Sequence, residues 1–223
     1  MTESVTVVLP ALDEAASVGR VVGDLLGLAD EIVVVDNGSS DGTGAIAAAA
    51  GARVVVEPRR GFGSACFAGT VAARGDIVCF LDADGTFAPA DVARVVREVS
   101  EHKLDLCLGS RTLLPGAIRR DHRIVNRALG LSLIVAGGPR LTDIGPLRAI
   151  RREALLALGV EDRAFAWPLE MVIRAARAKL VIGEIPVAYL PRFGGESKVT
   201  GSLRGSLRVA RQMSVLLARE ALR

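Results

Sequence analysis

Aromatic residues are scarce in this 223-residue chain, at 4%. The core must therefore be built from Val, Leu, Ile and Ala, and there is no aromatic platform on which bases could stack. With a formal charge of only +3 and no RNA- or DNA-binding motif, nucleic acid is not an expected partner. Cysteine is nearly absent too. Cys66, Cys79 and Cys107 stand far apart among apolar neighbours, which excludes a disulfide framework and a thiolate metal centre and fits a reducing cytoplasm. Long hydrophobic runs are missing: the longest uncharged apolar stretch, 128–139, falls short of the roughly 20 residues that cross a bilayer. The start of the chain lacks a basic segment followed by an apolar one, so no signal peptide is expected. Lysine occurs only at 103, 179 and 198 against 25 arginines, a bias that base composition alone can produce.

Half of the residues are hydrophobic, and their pattern is regular. "VTVVLP", "EIVVVD", "ARVVVE" and "DIVCFLD" read as buried strands rich in β-branched residues. Helical patterns lie between and after them, near 14–28, 42–50, 62–74 and 89–101. This rhythm predicts an α/β fold with a mostly parallel, Rossmann-like central sheet and helices on both faces. In such sheets ligands gather at the carboxyl ends of the strands. Here those ends are "PALDE", "DNGSSDGT", "EPRRGFG" and "DADGT", all polar and turn-forming. Later in the chain "DLCLGSR" reads as a further strand, followed by an Arg-rich loop and a helix near 121–137. A turn, strand and helix follow from Thr142, then a helix running into a strand, then a Gly-rich loop and a basic terminal helix.

Asp82 and Asp84 close the fourth strand. In an extended chain residues two apart point to one side, so the two carboxylates aim at one small volume. Their repulsion is relieved by a proton or by a shared cation. Asp36 ends the second strand where a carboxylate can accept from a base or ribose hydroxyl. Asp41 and Ser40 beyond it fit equally an Asx turn capping the next helix. Gly61 and Gly63 open a helix after a strand, but Cys66 stands where a dinucleotide fingerprint needs its third glycine, and the segment follows the wrong strand. Nicotinamide dinucleotide binding is rejected. The two glycines are expected to allow close backbone approach to a ligand or a tight helix start.

"VVVDNGSSDGT" and, about forty residues on, "CFLDADG" together resemble the family-2 glycosyltransferases of the GT-A fold. The resemblance covers nearly the whole chain, as a single domain 1–223. It implies a nucleotide-sugar-binding half, 1–110, and an acceptor-side half, 111–223, with the basic helix at its end. It further implies that Asp82 and Asp84 hold Mg²⁺ or Mn²⁺ against the diphosphate of a nucleoside-diphosphate sugar. A hard cation wants oxygen ligands and neutralises charge growing on the leaving group. Pro10, Ala11, Glu14 and Asp36 match positions near the nucleoside. Thr86 stands where some relatives place a third metal ligand.

The second half is similar to the polyprenyl-phosphate (dolichol-phosphate-like) mannosyl- and glucosyltransferases. By that similarity Arg111, Arg120, Arg123 and Ser197 serve an acceptor phosphate, and Arg192 and Lys198 grip the diphosphate. The expected activity is inverting hexosyl transfer, with Asp84, Asp143 and Arg111 in catalytic positions and a polyprenyl phosphate as acceptor. The alternatives are a soluble or saccharide hydroxyl acceptor, for which Asp143 is the first candidate base, or a sugar-nucleotide-binding protein without turnover. A pyrophosphorylase is disfavoured, because "PALDEAASVG" lacks the basic Gly-rich loop it needs. Glu170 is divided between a buried ion pair with Arg174, four residues on, and a role in the site. Arg204, Arg208, Arg211, Arg219 and Arg223 share one arc of the terminal helix, either a solvated face or a contact with anionic lipid. The expected location is the cytoplasm, with the inner membrane face as a peripheral alternative.

Overall fold

The computed structural model describes residues 3–111, 139–194, 211–213, 215–217 and 219. The expected helix at 121–137 and Arg120, Arg123, Ser197, Lys198, Arg204, Arg208 and Arg223 lie outside these residues.

Seven strands form one sheet: β1 (Val5–Ala11), β2 (Glu31–Asp36), β3 (Arg53–Val56), β4 (Ile77–Phe80), β5 (Leu106–Ser110), β6 (Arg148–Arg151) and β7 (Ile182–Pro186). Their spatial order is β3-β2-β1-β4-β6-β5-β7. All pairings are parallel except those of β6, which runs antiparallel to both β4 and β5. The described helices are α1 (Val18–Leu25), α2 (Thr43–Ala49), α3 (Phe62–Ala72), α4 (Pro89–Ser100), α5 (Arg152–Leu158) and α6 (Trp167–Arg177).

Side chains alternate along the strands and so divide the core between two faces. Val7, Leu9, Val34 and Cys79 meet α1, α2 and α4 on one face. Val8, Val33, Val35 and Phe80 meet α3, α5 and α6 on the other. Because both faces are covered, the strands read as continuous apolar runs rather than alternating ones. All three cysteines are buried in this packing and free. Phe80 stands edge-on to Trp167 at 5.0 Å, one of few ring contacts in an aliphatic interior.

Several expectations shift in detail. α1 begins at Val18, not near residue 14, because residues 12–17 form a loop held to the exit of β2. The N-cap of α2 is Gly42 rather than Ser40 or Asp41. Asp41 instead accepts the Thr43 N–H and the Thr43 hydroxyl, and its other oxygen takes the Ala15 N–H. Gly61 and Gly63 allow close approach to the protein's own backbone, not to a ligand. A Cβ on Gly63 would lie 2.5 Å from the Asp162 carbonyl oxygen, and the Gly63 and Ser64 N–H groups donate to Ala164 and Arg163.

The antiparallel strand decides where the site can be built. β6 pairs Arg148 with Phe80 and with Leu108, so its entry, not its exit, lies at the carboxyl ends of β4 and β5. The turn before it, with Asp143 and Gly145, is thereby set beside Arg111 after β5 and Asp82 after β4.

Candidate active site

The exits of β1 and β2 are side by side, Ala11 being registered with Asp36. Backbone N–H groups of Asp13 and Glu14 donate to Ser39 Oγ and Thr43 Oγ1 at 2.9 and 2.8 Å. Asp36 is half-buried and accepts the Ser39 N–H through Oδ1 at 2.8 Å. Asn37 fastens the exit of β3, donating to the carbonyls of Glu57 and Arg59 and accepting the Gly61 N–H. Pro10, Ala11 and Asp36 thus lie together at the carboxyl ends of β1 and β2, beside the β1/β4 switch point of the sheet.

Asp82 and Asp84 lie just past the end of β4, in a turn rather than on the extended strand that their spacing suggested. Their charges still interact. Burial, and then the neighbouring Asp84, push the Asp82 carboxyl up to about 7, while Arg111 and Arg192 pull it back and Glu14 adds to the rise. Asp84 is 3% exposed. Its Oδ1 accepts the Thr86 N–H and hydroxyl at 3.0 and 2.7 Å, closing the turn. Its Oδ2 lies 2.9 Å from Arg192 Nη1. Arg192 Nη2 also donates to both oxygens of Glu14, at 2.8 and 3.0 Å. The carboxylate of Glu14 is therefore tied to Arg192, which also holds Asp84.

The segment carrying Arg192 is docked along this turn. The Leu190 N–H donates to the Thr86 carbonyl and the Phe193 N–H to that of Asp84, at 2.9 and 3.1 Å. Gly85 has φ +78°, and a Cβ there would lie 2.3 Å from the Phe193 ring. Only glycine meets both conditions. The other side of Phe193 carries the Arg20 guanidinium, 4.0 Å from the ring centroid.

On the far side stands Arg111. Its Nε and Nη2 donate to the two oxygens of Asp143 at 2.7 and 2.9 Å, and its backbone N–H adds a third bond at 3.0 Å. Asp143 is buried, so this bidentate pair has a fixed geometry. With both oxygens on Arg111, Asp143 orients a cation and is poorly placed as a base. The turn is held from beneath by Arg148, a fully buried arginine that donates to the carbonyls of Gly145 and Pro168. Burial lowers the Arg148 guanidinium to about 10, which leaves it charged at neutral pH. Tyr189 closes this side, stacked beneath Arg111 at 5.2 Å and edge-on to Phe87 at 5.8 Å.

Glu170 is not in the crevice. It is fully buried, accepts the Glu161 and Asp162 N–H groups, and pairs with Arg174 at 2.7 Å and Arg219 at 3.1 Å. Arg219 reaches Glu170 through its guanidinium while remaining exposed, as Arg211 does. The structure thus gathers Asp82, Asp84, Glu14, Arg111, Asp143 and Arg192 around one crevice. Tyr189 and Arg148 were missed. The signals were a sole tyrosine three residues before Arg192, and a charge inside the apolar run "PLRAI".

Two carboxylates on one turn, with a proton or an arginine already balancing them, suit a hard divalent cation. Such a cation takes its remaining ligands from water and diphosphate. Among the described residues no group of three or more His, Cys, Asp or Glu side chains is set to hold a metal.

The fold, the carboxylate turn and the two arginines define a GT-A glycosyltransferase, and the chain belongs to glycosyl transferase family 2, whose profile matches residues 6–159. The glucosyl-3-phosphoglycerate synthase of Mycolicibacterium paratuberculosis is 45% identical over 210 residues, which cover 86% of this chain and 57% of that protein. The undecaprenyl-phosphate mannosyltransferase of Micrococcus luteus is 32% identical over 219 residues, covering 90% and 89%. Among solved structures, the glucosyl-3-phosphoglycerate synthase of Mycobacterium tuberculosis, in complex with Mn²⁺, UDP-glucose and phosphoglyceric acid, superposes with a TM-score of 0.80. It is 26% identical, with 98% of this chain and 80% of that one covered. No helix among the described residues is long and apolar enough to cross a membrane.

Proposed function

We propose that this enzyme transfers a hexose, in the first instance glucose, from a UDP-sugar to a small phosphorylated acceptor such as a phosphoglycerate. The observation that carries the proposal is Arg111, held rigid by Asp143 across the crevice from the carboxylate turn. A fixed cation at that place is what an anionic acceptor needs. The likeness to the synthase complexed with UDP-glucose and phosphoglyceric acid supports the same choice. The polyprenyl phosphate inferred from sequence has less support, resting on the likeness to the undecaprenyl-phosphate enzyme.

In this mechanism Pro10, Ala11 and Asp36 receive the nucleoside, and Asp82 and Asp84 hold Mg²⁺ or Mn²⁺. The bound cation supplies charge neutralisation to the departing diphosphate. Arg192, held between Asp84 and Glu14, would donate to the diphosphate, where its planar fork matches two phosphate oxygens. Lys198, six residues on, is assigned the same task. Arg111 orients the acceptor, whose hydroxyl oxygen bonds to the anomeric carbon as the bond to the diphosphate breaks. With Asp143 keeping Arg111 in place, the hydroxyl proton goes to the departing diphosphate or to water. Preorganised positive charge on both sides of the transferred sugar supplies the main stabilisation of the transition state. Inversion, the stereochemistry expected from sequence, is kept as part of the proposal.

The test is transfer from radiolabelled UDP-glucose with Mn²⁺, offering 3-phosphoglycerate in one series and undecaprenyl phosphate in detergent in another. Product with the first and none with the second is the expected result. Product with the lipid alone would return the acceptor to the polyprenyl class. Anomeric proton coupling in the product reads the stereochemistry.

A further inference from the structure

Arg111 has five N–H donors. Nε and Nη2 are committed to Asp143, and one face of the guanidinium is covered by Tyr189. Among the described residues Nη1 has no partner, and it is the edge left for a ligand. Tyr189 is the only tyrosine of the chain. The residue is 37% exposed, and its hydroxyl makes no hydrogen bond with any described residue. The ring is not loose. Leu190, next in the chain, is bonded to Thr86, and Phe87 packs edge-on against the ring. A phenol with an unused donor therefore stands in a fixed place beside a guanidinium with an unused edge. Burial raises the phenol and the nearby Asp84 and Asp82 raise it further, against the pull of Arg111 and Arg192, so the hydroxyl keeps its proton at neutral pH.

Given the acceptor chemistry proposed above, on which this rests, we propose that Tyr189 Oη and Arg111 Nη1 together form the subsite for the acceptor's anionic group, making Tyr189 a specificity-determining residue. The ring does two things at once: it supports the face of Arg111, and it adds a neutral donor that a carboxylate or phosphate oxygen accepts. The subsite has the carboxylate turn as its neighbour, so it attracts an anion only after a cation has neutralised Asp82 and Asp84. Acceptor binding is accordingly ordered, following metal and donor.

Because the chain has one tyrosine, protein grown with 3-fluorotyrosine carries a single ¹⁹F resonance, that of residue 189. This resonance is followed in enzyme loaded with Mg²⁺ and UDP as 3-phosphoglycerate, and separately inorganic phosphate, is titrated in. A saturable shift is expected with both, and none when Mg²⁺ and UDP are left out. In turnover with UDP-glucose, Tyr189→Phe keeps the ring and loses one hydrogen bond to a charged group. That loss raises the acceptor KM by about tenfold, while donor KM and kcat stay within about twofold of wild type. If calorimetry shows 3-phosphoglycerate binding while the resonance stays fixed and the Tyr189→Phe acceptor KM is unchanged, the subsite is wrong and the acceptor class stands. If inorganic phosphate moves the resonance but 3-phosphoglycerate is neither bound nor glycosylated, the subsite stands and the acceptor is a different phosphate. A resonance unmoved by either anion overturns the subsite.

Discussion

Lowering the pH from about 8 to about 6 should loosen the metal by close to an order of magnitude, through Asp82 alone. Its carboxyl is ordinarily ionised above 3.8 but is pushed up to about 7 here by burial and by Asp84. A cation binds the ionised form, so proton and metal compete. The apparent dissociation constant then scales as one plus the ratio of protonated to ionised Asp82. That factor is about 1.1 near pH 8, about 2 near pH 7 and about 11 near pH 6. The tenfold change corresponds to about 1.4 kcal/mol. Stability follows the same linkage. Between 3.8 and about 7 the metal-free native protein holds one more proton at Asp82 than the unfolded chain does. Its stability therefore falls as pH rises through that window. Bound metal removes the penalty, so the rise in Tm on adding metal is larger above pH 7 than below it. Electron paramagnetic resonance of free Mn²⁺ measures the affinity directly, with UDP-glucose present, whose diphosphate diester does not titrate in this range. An affinity that stays flat between these pH values refutes the reasoning, as does an unchanged pH slope in Asp82→Asn.

Asp84→Ala should abolish the metal-dependent part of the thermal stabilisation by UDP, a shift that for a ligand at a hundred times its dissociation constant is worth about 2.7 kcal/mol. Arg192→Met removes the cation that occupies Asp84 in the absence of metal. Metal alone should then bind more tightly while the donor KM rises, two opposite changes that calorimetry and kinetics separate. Gly85→Ala combines a left-handed backbone with a collision against Phe193, so it should lower stability by about 1–2 kcal/mol or more and raise the donor KM. Glu170→Ala removes the acceptor of the Glu161 and Asp162 N–H groups and the nearer of Arg174's two carboxylates, Glu161 remaining at 3.3 Å, at a cost of about 1–3 kcal/mol by denaturant unfolding. The folded fraction should keep its kcat, and a lost kcat in folded protein would put Glu170 in the site after all.

The sheet was legible because strands covered on both faces must be apolar at every position, and runs such as Val33–Val34–Val35 have no other stable use. The site was legible in part for a related reason. Ligands bind where parallel strands end, and a chain that places carboxylates at Asp36, Asp82 and Asp84 in those exits declares its chemistry locally. Asp143 and Arg111 were both singled out, yet in separate roles. Nothing in their 32-residue separation shows that one carboxylate would use both oxygens on one guanidinium. Glu170 remained divided until its burial and its two arginines were visible.

Composition and periodicity by themselves determined the α/β class, the crevice at the carboxyl ends and the pairing of Asp82 with Asp84, because these depend on contacts close in sequence or on the repeat of one element. Only the tertiary structure decided the rest. The reversal of β6 brings the Asp143 turn to the carboxyl end of β5, where it fixes Arg111. The docking of Leu190–Phe193 on Asp84–Thr86 lays Arg192 between Asp84 and Glu14 and sets Tyr189 beneath Arg111. The reach of Arg219 to join Arg174 at Glu170 neutralises that buried carboxylate. Each of these joins groups tens of residues apart or more, and a charge finds its partner through the packing of the whole fold, which no local pattern encodes.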